Sequence, residues 1–84
     1  MDNQKFYESV KPIIDKAQPG GGYSIDIAEY NGSGHYIFNA FVNDIREIDA
    51  MRLFAFVIIN HPAAQVEIAY RGMTTLKKSE VAYA

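Results

Sequence analysis

The 84-residue sequence contains no cysteine and no tryptophan, and only three prolines. Without cysteine there is neither a disulfide staple nor a thiolate metal site. The hydrophobic core alone must therefore stabilise a chain near the lower size limit for independent folding. A surplus of charge is missing too: eight Lys and Arg stand against ten Asp and Glu, a formal balance of −2. That field is too weak to recruit nucleic acid, and too weak to imitate an acidic nucleic-acid surface. The opening MDNQKFYESV has neither the basic nor the apolar block of a signal peptide. The longest apolar run, Leu53 to Ile59, has seven residues, far short of the ~20 that a bilayer requires. The expectation is a cytoplasmic protein with no membrane span.

What is present is core material: 49% of residues are hydrophobic and 13% aromatic, unlike a disordered chain. No internal repeat and no linker divides the chain, so residues 1–84 are read as one small domain.

Phe6, Val10, Ile13, Ile14 and Ala17 are spaced as one face of a helix over residues 3–17. Asp2 or Asn3 can cap it. Pro12 predicts a kink, or a short first turn with the helix restarting near Lys11. QPGGG then reads as a stop and a flexible joint. A phosphate-cradling loop is not indicated there, since no Lys-Ser/Thr and no helix follow.

GYSIDIAEY and HYIFNAFVN flank NGSG, a hairpin pattern in which Asn31-Gly32 would take the tight turn. A two-residue and a four-residue loop both give the same faces. Tyr23, Ile25 and Ile27 fall with Tyr36, Phe38, Ala40 and Val42 as core. Ser24, Asp26, Ala28 and Tyr30 fall beside His35, Ile37, Asn39 and Phe41 on the other side.

In NDIREIDAM, Asp44 with Glu47 three residues on has the form of a capping box. From there Ile48, Met51, Ala55, Ile58 and Ile59 cluster within about 100° of helical arc, with Arg46 and Asp49 opposite. The apolar run Leu53 to Ile59 is thus the second half of a helix that Asn60 and Pro62 stop. A strand is the alternative for this run, but cap and spacing begin upstream and favour the helix. AQVEIAYRG alternates as a strand with Val66, Ile68 and Tyr70 inward, and Gly72 turns the chain. Residues 73–84 are open between a fourth strand and a frayed helix. The fold class is therefore α+β: a two-layer α-β-β-α-β(-β) domain with a mainly antiparallel sheet of three or four strands and two helices.

Chemistry is sparse. His35 and His61 sit in no metal-ligand spacing and read as surface residues. No serine has a nucleophile-elbow context, and Asp26 and Glu29 point to opposite faces of one strand. No catalytic residue, metal or cofactor is expected. The apolar side chains without an obvious place in the core are the signal: Ile37 and Phe41 on the sheet, and Leu53, Phe54 and Val57 on the helix. Burying one such side chain is worth ~1.5–3 kcal/mol, so something should cover them.

The functional expectation is a non-enzymatic protein-binding module, an inhibitor or regulatory subunit that occupies a surface of a larger protein. A second copy of the chain is one admissible partner. Its binding face would comprise Asp26, Tyr30, His35, Ile37, Asn39 and Phe41. In size and character such a protein is similar in type to small phage-encoded inhibitors of bacterial defence nucleases, anti-CRISPR proteins among them; no motif of such a family is matched. One alternative is a single-stranded nucleic-acid-binding domain that stacks bases on Tyr30 and Phe41. The other is a small oligomeric enzyme with its active site at a subunit boundary.

Overall fold

The computed structural model describes residues 3–79. Helix α1 (Asn3–Lys16) leads into strands β1 (Pro19–Tyr30) and β2 (Tyr36–Ile45). Helix α2 (Glu47–Asn60) follows, and then strands β3 (Gln65–Tyr70) and β4 (Met73–Lys78). The four strands form one antiparallel sheet in the order β2-β1-β3-β4. Both helices lie on one face, α1 against β2 and α2 across β1 and β3. This is the expected α+β class, with the open stretch after Gly72 resolved as strand as far as Lys78. The cap assigned to Asp2 and the chain after Ser79 lie outside the described residues.

The core forms where the two layers meet. Phe6 and Val10 of α1, Ile25 and Ile27 of β1, Phe38 of β2, Leu53 and Val57 of α2, and Val66 and Ile68 of β3 are all fully buried. At its centre Phe6 stacks on Phe38 with ring centroids 3.7 Å apart. Alternation in the strands and the 3.6-residue period of α1 put these side chains there. α1 is one continuous helix through Pro12, so the short first turn with a restart near Lys11 does not occur. The proline ring lies on the exposed side, where water can satisfy the carbonyl one turn back that loses its donor.

Three local expectations fail for identifiable reasons. QPGGG is the start of β1 rather than a loose joint, because it crosses the end of β2 at close quarters. A Cβ on Gly21 would lie 2.3 Å from the Ile45 carbonyl oxygen and 2.4 Å from Arg46 Cα. The hairpin loop has five residues, Asn31 to His35. Asn31 Oδ1 accepts from the backbone N–H of Ser33 (2.8 Å) and His35 (3.1 Å), and the positive φ falls on Gly34 instead of Gly32. Asp44 does not cap α2. It lies one residue before the end of β2 in a left-handed conformation (φ 56°), and its carboxylate accepts from Gly22 N–H at 3.1 Å.

The largest correction is the face of α2. Asp49, Ala50, Leu53 and Val57 are buried, whereas Ile48, Met51, Ala55 and Ile59 are exposed and Ile58 is half-buried. Asp49, read as a solvent-facing charge, is only 3% exposed. Its Oδ2 accepts from Gln18 N–H (2.9 Å) and Arg46 Nε (2.8 Å), and its Oδ1 from Arg46 Nη2 (3.2 Å). A buried carboxylate is tolerable when its lone pairs are met in this way. Here the charge ties the α1–β1 connection to the first turn of α2. Hydrogen bonding from Arg46, and then from the Gln18 amide, holds the Asp49 carboxyl below the usual carboxylate range.

Candidate protein-binding surfaces

The face of the sheet away from the helices follows from the register. Asp26 pairs with Phe41 and Ala28 with Asn39 across β1 and β2, and Asp26 pairs with Glu67 across β1 and β3. Asp26, Tyr30, Asn39 and Phe41 are therefore brought together on the outer face as expected. Phe41 is 60% exposed. Asn39 Nδ2 donates to Asp26 Oδ1 (3.0 Å) and to the Ile27 carbonyl (2.9 Å), which pins both polar side chains on that face.

His35 is exposed in the hairpin loop, next to the face but not on it. Ile37 is not on it. The register slips between Glu29, which pairs with Phe38, and Tyr30, which pairs with Tyr36, leaving Ile37 as the extra residue of a β-bulge. Ile37 consequently packs against the core. The same bulge carries Tyr36, read from the alternation as a core residue, to the outer face. There it is 59% exposed and stacks on Tyr30 with centroids 4.8 Å apart and hydroxyls at 3.3 Å. The hydrogen bond with Tyr36 raises the pKa of the Tyr30 hydroxyl. Strict alternation cannot reveal Tyr36, since a bulge inverts every side-chain direction beyond it.

A shallow depression of about 90 Å³ lies beside this pair, lined by Asp26, Ala28, Tyr30, Gln65, Glu67 and Lys77 among others. It is well below the ~300–1,000 Å³ of a small-molecule site. A more open cleft of about 440 Å³ runs between α1 and α2, lined by Pro12, Ile13, Lys16, Asp49, Arg52 and Phe56. Its one carboxylate, Asp49, is already committed to Arg46 and Gln18.

His61, expected at the surface, is 5% exposed. It closes α2 through its backbone N–H to the Val57 carbonyl (2.7 Å), and its ring lies against Phe6, Phe38 and Phe56. Burial lowers its pKa below 6.5. Its Nε2 lies 3.2 Å from Ser9 Oγ, and that hydroxyl donates to the Phe6 carbonyl at 2.7 Å. With the Ser9 hydroxyl proton directed to the Phe6 carbonyl, the contact to Nε2 is a hydrogen bond in the tautomer that carries its proton on Nε2. Among the described residues no three His, Asp or Glu side chains gather to hold a metal ion, and no helix is long and apolar enough to cross a membrane.

The second surface is the outward side of α2. Ile48 and Ile59 are 50% and 75% exposed, and Met51 and Ala55 lie open between them. Asp49, Arg52 and Phe56 face the cleft toward α1, so helical geometry turns Met51, Phe54 and Ile58 toward β4. No helix covers β4, whose helix-side residues Met73 and Leu76 pair with Tyr70 and Ile68 and are exposed. Apolar side chains are thus open both on the outward side of α2 and on the helix side of β4. No family model, curated protein or solved structure matches the chain.

Proposed function

We propose that this protein is a non-enzymatic protein-binding module. In this reading it acts as an inhibitor or regulatory subunit by laying the outer face of its sheet on a larger protein. The supporting observation is the set of aromatic side chains on a face that carries no helix: exposed Phe41, and exposed Tyr36 stacked on half-buried Tyr30. Around it Asp26, Asn39, Glu67 and Lys77 form a polar surround, the mixed composition of a binding patch with aromatic anchors. Nucleic acid suits this face less well, because two carboxylates, Asp26 and Glu67, lie among the rings that would have to stack on bases.

The test is affinity capture from the native host with mass spectrometry, using wild type and Phe41→Asp side by side. The expected outcome is a protein retained by wild type and lost by a variant whose circular dichroism is unchanged. Equal capture by both would place the binding face elsewhere, and an unfolded variant would make Phe41 structural. Retention of single-stranded oligonucleotide that falls steeply with salt would favour nucleic acid instead.

A further inference from the structure

We propose that the cleft between α1 and α2 binds a small amphiphilic carboxylate, a short fatty-acid-like anion with its head between Lys16 and Arg52 and its tail against Pro12, Ile13 and Phe56. Among the described residues only the two helices line this cleft, and both pack on the side of the sheet away from the Phe41 face. Two contacts fix how the helices run past each other. The Gln18 N–H, just beyond the end of α1, reaches Asp49 in the first turn of α2, and Ser9 lies 3.2 Å from His61, just past the end of α2. The helices are therefore antiparallel, with Lys16 abreast of Arg52. Pro12 and Ile13 stand abreast of Phe56, one turn or ~6 Å further along. One end of the cleft is charged and the other is apolar.

The charge left over at that end is positive. Asp49 is the one carboxylate in the lining, and its oxygens already accept from Gln18 and twice from Arg46. Arg52 approaches it only to 3.7 Å, so the guanidinium keeps donors for a second acceptor. Among the described residues no carboxylate pairs with Lys16, and the neighbouring Asp15 is held by Lys11 at 2.9 Å. Lys16, Arg46 and Arg52 thus surround the single charge of Asp49, in a chain whose formal balance is −2. Cations on facing helices repel each other. A carboxylate set between them removes that repulsion and takes a charge-assisted hydrogen bond from each. The other end calls for a tail: Ile13 and Phe56 are half-buried, Pro12 is exposed, and the methylene stems of Lys16 and Arg52 extend the apolar wall. At about 440 Å³ the cleft has the size of small-molecule sites, ~300–1,000 Å³, which join an apolar lining to a few placed polar groups. A wholly polar anion would leave Ile13 and Phe56 uncovered, and a neutral lipid would leave both cations unpaired.

The test is a titration of isotope-labelled protein with sodium octanoate, followed by amide NMR at fixed pH and salt. Shifts should saturate and centre on the amides around Lys16, Arg52 and Phe56, with Tyr36 and Phe41 unmoved. n-Octanol carries the tail without the charge, and acetate the head without the tail. Each should bind roughly tenfold more weakly than octanoate, or worse. The double variant Lys16→Gln with Arg52→Gln should lose octanoate affinity by a similar factor while its circular dichroism is unchanged. Absence of saturable shifts at tens of millimolar octanoate overturns the proposal, and so does equal binding of octanoate and octanol. Shifts centred on Phe41 or on Met73 and Leu76 overturn it too, as does a folded double variant with full affinity. Should that variant unfold, the comparison of octanoate with octanol on wild type decides. Every one of these outcomes leaves the sheet-face reading to its own test, since none involves the host partner.

Discussion

At the scale of single residues, position outweighs type. Gly21 is one of three adjacent glycines, yet it alone among them has backbone atoms of Ile45 and Arg46, at the β2–α2 junction, within 3 Å of where a side chain would begin. Gly21→Ala must push the β2–α2 junction away, and should cost ~1–3 kcal/mol or more. Gly32→Ala meets open space and should leave the denaturant midpoint almost unchanged. Equal midpoints for the two variants would mean that β1 and the start of α2 are not in contact. Asp49 teaches the converse: a charge is placed by its partners, and the sequence names only one of them. Arg46 is visible three residues away, but the Gln18 amide is thirty-one residues distant and comes into reach only once α1 and β1 have docked.

At the scale of elements, existence and order were legible from the sequence, while facing was legible only where one face is apolar. α1 has a single apolar stripe, and Phe6 and Val10 are buried as the spacing says. The hairpin faces also hold from Tyr23 to Ile27, because two independent alternations agree. α2 is apolar around most of its circumference, so periodicity leaves two choices open. The sheet takes the side bearing Ala50, Leu53 and Val57, where Ala50 lets the helix come near and Asp49 can reach Gln18. This has a direct consequence for stability. Leu53→Ala should cost ~2–5 kcal/mol, whereas Ile48→Ala, on the outward side, should stay within ~0.5 kcal/mol. Chemical denaturation of the two variants reads the facing of the helix; reversed effects would restore the periodicity-based orientation. The candidate sheet face was legible as far as the bulge at Ile37 and not beyond it, because one extra residue exchanges Ile37 for Tyr36.

At the scale of the whole molecule, two buried titratable groups make stability fall in acid in two stages. His61 is held neutral, with a folded pKa below 6.5. Its contribution is complete above that value and is lost as pH falls toward the folded pKa, since the unfolded chain then binds the extra proton. Asp49 has a folded pKa below 3.8, so its contribution persists to lower pH and disappears only as the carboxylate takes up a proton. Urea midpoints measured from pH 8 to pH 3 should drop first below about 6.5 and again below about 4. His61→Gln should remove the first step and keep the second; a profile flat between pH 7 and 5 would contradict the burial of His61. The edges of the sheet have a different consequence. Tyr7 of α1 donates its hydroxyl to the Asn39 carbonyl on edge strand β2, while β4, at the other edge, carries a register shift and Lys77. Neither border offers a clean row of free amides and carbonyls to an incoming strand. Lengthening of the sheet by strand addition, the route by which such folds grow into fibres, is therefore opposed at both borders.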